Sequence, residues 1–172
     1  MYKSLPPEVQ SVLREFRTCE FTTLSKSGMP ITWPVLPRYL PDQNRFLLTS
    51  SIGLPNKVFH IRRNPRVSLL FSNPTASGLT NPSSVLIQGD AIAEDKIVTS
   101  MNEVDGLREY WRDTIFKRQP SSASLSNNAI MRKMMDWYYM RIIIYVTPRT
   151  VSWWPGGDFT QPVCRMETVH VE

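Results

Sequence analysis

Residues 49 to 57 read Thr-Ser-Ser-Ile-Gly-Leu-Pro-Asn-Lys and carry the most suggestive chemistry in the chain. A run that reads as a strand ends in three hydroxyls, Thr49, Ser50 and Ser51. A Gly-Leu-Pro turn follows, and a helix then begins with Asn56 and Lys57. The first turn of a helix offers unpaired N–H groups and about half a positive charge. Hydroxyls and a lysine at the same point can complete a cradle for a phosphate. The same residues also fit a plainer arrangement, a serine-rich turn capping a surface helix.

Other kinds of chemistry find little support. The chain has only two histidines, His60 and His170, and two cysteines, Cys19 and Cys164, with no metal-ligand spacing. There is no HExxH, no paired CxxC and no lysine in a phosphate-loop context. Catalysis built on a protein nucleophile or a metal is therefore not expected, and a cofactor would have to carry any redox chemistry. Lys57 is followed by Arg62, Arg63 and Arg66, with no carboxylate among them. A nucleic-acid grip needs aromatics interleaved with such cations or a recognised helix motif, and neither is present. The arginines are expected to be solvated.

The 172 residues suit one domain with a sizeable core. Hydrophobic residues at 41% and charged residues at 20% are ordinary for a globular protein. A net charge of +5 and a pI near 9.4 permit an anionic partner without choosing one. No apolar run approaches the ~20 residues of a membrane span. The first residues lack the apolar core and cleavage site of a secretory signal. No membrane partner is expected, and a reducing cytoplasm is the simplest setting.

Several elements must position the cradle. Pro6-Pro7-Glu8 opens a helix whose buried stripe is Val9, Val12, Leu13 and Phe16. Residues 19–40 read as strand, turn and strand about Ser27-Gly28, and a second turn at Pro41–Asn44 leads into a third strand. The three are expected to form an antiparallel meander. A short helix from Pro55 stops at Asn64-Pro65. Residues 66–71 form the fourth strand, 72–83 a loop and 84–95 the fifth strand, with Gly89 at a bulge or bend. Residues from about Asp95 to Met140 are read as a largely helical insertion with inward positions at Val98, Met101, Leu107 and Trp111. In this insertion Met131, Met134, Met135, Trp137 and Tyr138 are expected to pack. Residues 141–148 form a sixth strand, 150–154 a short seventh, and an irregular tail follows. Trp153 and Trp154 are expected in core or interface. This pattern fits a closed or partly closed mainly β barrel with flanking helices, although a sandwich would give a similar string.

Three stretches in this order resemble a known superfamily: "GMPITWPVLPRYLPDQNRFLLTSS", "NKVFHIRRNPRVSLLF" and "VSWWPGG". They are similar to the flavin-binding split-barrel proteins that include pyridoxamine 5'-phosphate oxidase. The likeness covers most of Cys19 to Glu94 and again Arg141 to Gly157. It implies a six-stranded antiparallel split barrel that forms a homodimer, with flavin mononucleotide (FMN) in clefts between the subunits. By that likeness Lys57 reaches the cofactor phosphate, assisted by Thr49 and Ser51. Asn56 stands where the family often has an arginine, and Arg38 where the oxidase has a second phosphate-side cation. Trp33, Pro34, Val35 and Leu36 would line the flavin ring, Ser84 would touch it, and the partner subunit would lend Trp154.

The departures are informative. Thr160 and Pro162 occupy the positions of the arginine and histidine that hold pyridoxal phosphate in the oxidase. A B6 vitamer is therefore not the expected substrate. The expected activity is an FMN-dependent oxidoreductase acting on another small organic molecule. The alternatives are a deazaflavin-dependent reductase and a non-enzymatic flavin- or anion-binding dimer. A haem-degrading relative would need an axial histidine, and His60 is expected to turn away from such a role.

Overall fold

The computed structural model describes residues 5–117, 120 and 140–168. Helix α1 (Pro7–Glu15) is followed by strands β1 (Cys19–Leu24), β2 (Pro30–Val35), β3 (Arg38–Leu40) and β4 (Arg45–Ser51). Helix α2 (Asn56–Arg63), β5 (Arg66–Phe71) and β6 (Ser84–Val98) come next. A helix then runs as α3 over Leu107–Glu109 and as a π-helical segment over Tyr110–Phe116. Strands β7 (Arg141–Trp154) and β8 (Cys164–Glu167) complete the order.

All pairings are antiparallel, and the sheet order is β2-β1-β5-β6-β7-β4-β3, with β8 paired to β7. The two end strands, β2 and β3, are separated in the chain only by Leu36 and Pro37. The sheet must therefore curl until its ends meet, and a covalent link closes it where a hydrogen-bonded ladder does not. The expected meander is corrected here. β2 pairs with β1 and β3 with β4, and no ladder joins β2 to β4. Pro37, which lacks an N–H, ends the pairing of the second strand. Pro30 and Pro34 likewise suit a strand at the sheet's end.

Alternation along the strands creates two apolar regions. Phe21, Phe46, Leu48, Phe71, Leu69, Ile87, Ile144 and Val146 fill the inside of the curl. The α1 stripe of Val9, Val12, Leu13 and Phe16 and the α2 residues Val58 and Ile61 join the same core. On the outer side, Leu47 and Ile143 meet Leu36, Val98, Leu107, Tyr110, Trp111 and Ile115. The segment after β6 thus covers the part of the sheet that carries the outward residues of β4, which explains why residues on both faces of that strand are buried.

Other expectations change in detail. Asp95–Val98 continue β6 as strand, so the insertion starts later than the composition suggested, and its helix starts at Leu107 behind Gly106 with φ +79°. The inward positions Val98, Leu107 and Trp111 are buried, and Met101 packs beside them. The helix expected over residues 129–140, with its methionines and aromatics, lies outside the described residues apart from Met140. The sixth and seventh strands are one, because Pro148 sits at a bulge opposite Gly89. A methyl on Gly89 would stand 2.1 Å from the Thr147 carbonyl oxygen, so only glycine allows this approach. The tail is not irregular throughout: β8 extends the edge of β7, and Met166 packs on the core. No described helix is long and apolar enough to cross a membrane.

Candidate functional site

The turn between β4 and α2 is fixed by its own polar groups. The Gly53 amide donates to Ser51 Oγ at 3.3 Å, the Leu54 amide to the Ser51 carbonyl at 3.0 Å, and Ser50 Oγ to the Leu54 carbonyl at 3.0 Å. Ser50 points into the barrel while the half-buried Thr49 stands on the outer face of β4. Alternation then brings Ser51 to the outer face as well. Pro55 precedes the first helical residue, Asn56, and no side chain caps the helix N-terminus. Its first amides therefore remain available to an anion.

Lys57 is half-buried, with its Nζ 5.3 Å from the centre of the Trp33 ring. Burial, and then the positive charge of Arg141, hold its pKa below the ordinary lysine value. No carboxylate of the described residues forms an ion pair with it. Arg141, the first residue of β7, is directly opposite Ser51 in the β4–β7 ladder. Its guanidinium carbon lies 5.0 Å from the centre of the Trp111 ring. Two cations, a hydroxyl and the amides of a helix start thus share one corner, a donor set suited to a phosphate.

One turn along α2, His60 is buried, its Nδ1 2.9 Å from Thr23 Oγ1 and its ring 5.5 Å from that of Trp33. Burial, followed by Arg63, lowers its pKa. These contacts give His60 a packing role. Among the described residues, no group of His, Cys, Asp and Glu could hold a metal ion.

The sequence-derived site residues fall into separate places. Trp33, Ser51, Asn56 and Lys57 gather around the α2 N-terminus, with Thr49 beside them on β4. Arg38 pairs across β3–β4 with Leu47 and forms an ion pair with Asp113 at 3.6 Å. Pro34 is exposed on β2, Val35 packs on the interior core, and Leu36 belongs to the outer cluster. Ser84 and Trp154 face each other across the β6–β7 ladder, at the opposite end of β7 from Arg141. At ~3.3 Å per residue, that is on the order of 40 Å along the strand. Trp154 packs on Phe159 with centroids 5.2 Å apart, while Trp153 packs on the core and donates from Nε1 to Glu8 Oε1 at 2.5 Å.

Sequence reasoning missed Arg141. A lone arginine before Ile-Ile-Ile reads as a solvated strand end, and only the register with Ser51 reveals its position. The basic run is also not simply solvated. Arg62 bonds the Glu94 carbonyl and pairs with Asp95, both at 2.9 Å, which ties α2 to β6. Arg63 and Arg66 are exposed.

A curled antiparallel sheet, left open between its end strands and flanked by a few helices, is the architecture of a split-barrel protein. The sequence profile described as pyridoxamine 5'-phosphate oxidase matches residues 5–141, and the chain belongs to that family. No curated protein matches the sequence. Solved structures share the fold at low identity. A putative pyridoxamine 5'-phosphate oxidase from Listeria innocua is 16% identical, with a TM-score of 0.52 over 85% of this chain and 94% of that one. General stress protein 26 from Bacillus anthracis is 12% identical, with a TM-score of 0.56 over 92% and 96%. A heme binding protein from Mycobacterium smegmatis is 16% identical, with a TM-score of 0.56 over 95% of this chain and 59% of that one.

Proposed function

We propose that this protein is a flavin-dependent oxidoreductase that binds FMN as a homodimer and acts on a small organic substrate other than a B6 vitamer. The observation that carries this reading is the Lys57 corner. A half-buried ammonium with no described carboxylate partner stands at an uncapped helix start, beside a second cation. Neutralising such charges with a phosphate relieves both their desolvation and their mutual repulsion.

The residues present fit the cofactor. Lys57, Ser51 and the first α2 amides would hold its phosphate, and Trp33 lies next to that point as a ring contact. Bound flavin supplies the capacity to accept or donate a hydride. The protein's part is to fix the cofactor, orient the substrate and exclude water. Ser84 and Trp154 lie at the opposite end of β7 from Arg141 and Ser51, an arrangement that fits a dimer in which the two ends of the strand serve different copies of the cofactor. A second copy would lend them. Thr160 and Pro162 are exposed and carry no charge for a substrate phosphate, which argues against a B6 vitamer.

The test is binding of FMN and of riboflavin by quenching of flavin fluorescence. Lys57→Ala should weaken FMN by roughly the 1.5–3 kcal/mol of a charged hydrogen bond, about 10- to 150-fold, and leave riboflavin alone. Full FMN affinity in the variant would refute the phosphate assignment.

A further inference from the structure

The turn after β7 displays an aromatic ring that belongs to neither apolar core. Phe159 is 62% exposed and rests against Trp154, with ring centroids 5.2 Å apart and planes inclined at 48°. A lone exposed apolar side chain is ordinary, but this one stands on a braced turn. The Asp158 amide donates to the Pro155 carbonyl and the Gln161 amide to the Asp158 carbonyl, both at 3.3 Å. Thr160 donates to Asp158 Oδ1 from its amide at 2.9 Å and from its hydroxyl at 2.6 Å. A methyl on Gly157 would stand 3.6 Å from Ser84 Oγ, so the turn lies against the start of β6. The bonds from Thr160 hold the Asp158 carboxyl below its usual range, and it is ionised at neutral pH. Among the described residues, no cation forms an ion pair with it.

We propose that Trp154, Phe159 and Asp158 form a substrate subsite that takes a planar aromatic cation and rejects an anionic ring. This rests on the flavin reading above: a copy that lends Trp154 to its partner's cofactor brings Phe159 and Asp158 to the same place. The face of an aromatic ring carries negative charge density and attracts a cation. A fixed carboxylate one residue before Phe159 adds attraction of the same sign and repels a carboxylate or phosphate. A flat ligand also covers the exposed face of Phe159 and releases water from it. Thr160 and Pro162, on the same turn, supply no positive charge to offset Asp158. The chain as a whole carries a net charge of +5 and favours anions. A preference for a cation would therefore have to come from this turn.

The experiment titrates N-methylquinolinium, quinoline and quinoline carboxylate into the full chain, with and without FMN, and reads binding by calorimetry at neutral pH. The cation should bind at least about fivefold more tightly than the anion. Asp158→Asn, whose amide oxygen can still accept from Thr160, should cut that preference by about threefold and keep the affinity for quinoline. Phe159→Leu should weaken the cation by about two- to fivefold. Both side chains are exposed, so the variants should fold, with circular dichroism as the check. An anion bound as tightly as the cation overturns the inference, as does an unaltered protein that binds no quinoline. A Phe159→Leu variant with unchanged affinity for the cation also overturns it. If that variant sediments as a smaller species as well, the ring belongs to the contact between two copies of the chain. FMN uptake is read separately by flavin fluorescence. Its absence refutes the flavin reading, and the titration without FMN then decides whether the turn takes the cation by itself.

Discussion

The Lys57 ammonium stands 5.3 Å from the centre of the Trp33 ring, and this contact ties α2 to the strand at the sheet's end. β2 is laddered only to β1, so its other edge needs a different support. Lys57 and His60, one helical turn apart, both meet Trp33 and supply that support from α2. Trp33→Leu should lower stability by about 1–2 kcal/mol through the lost cation–π contact and apolar area. The urea midpoint should fall at unchanged slope, and FMN affinity should fall with it because Lys57 loses its rest. A variant that keeps the original midpoint would show that Trp33 does not clamp the helix.

The buried His60 makes a prediction about acid. Burial and Arg63 place its native pKa below the ordinary 6.5. The unfolded chain therefore takes up the proton more readily than the native one. The sign follows: native stability is at its full value above about pH 6.5 and declines as pH falls from there toward the lowered native pKa. The carboxylates with shifted values act elsewhere, since hydrogen bonds hold Glu103 down at about 2 and place Asp113 and Asp158 below their usual range. His60→Asn keeps a polar group for Thr23 and does not titrate. Urea midpoints of the unaltered protein should drop more between pH 7.5 and 5.5 than those of this variant. Parallel curves would remove His60 as the source of acid sensitivity.

Local signals made much of the fold legible. Gly28, at φ +80°, turns the β1–β2 hairpin where the sequence placed the turn, with its amide bonded to the Ser25 carbonyl. Pro55 and Asn64-Pro65 bracket α2 as expected, and the α1 stripe is buried residue for residue. What escaped depends on residues distant in sequence. Pro148 looked like a strand end because nothing local shows that Gly89 lies opposite it in a bulge. Leu36-Pro37 looked like the interior of one strand, although it is the link between the two ends of the sheet. The same holds for the site. Hydroxyls, turn and lysine adjoin in sequence and could be read together, whereas Arg141 joins them only through a ladder between β4 and β7. Ser84 and Trp154, the latter expected as the partner subunit's contribution, lie opposite each other at the far end of β7.

The link between the sheet's ends has its own anchor. Leu36 lies where β2 has ended and β3 has not begun, so its carbonyl oxygen needs a partner from outside the ladder. Tyr110, 2% exposed in the π-helical segment, donates its hydroxyl to that oxygen at 2.8 Å. Replacing Tyr110 by phenylalanine keeps the ring and opens no large cavity, but it leaves a buried acceptor unsatisfied. The expected cost is about 1–3 kcal/mol, read as a lower urea midpoint. FMN affinity should hardly change, because the hydroxyl is directed at the backbone and not at the Lys57 corner. Loss of stability without loss of binding would identify the segment after β6 as the clasp of the barrel. An unchanged midpoint would mean that the joint holds without Tyr110.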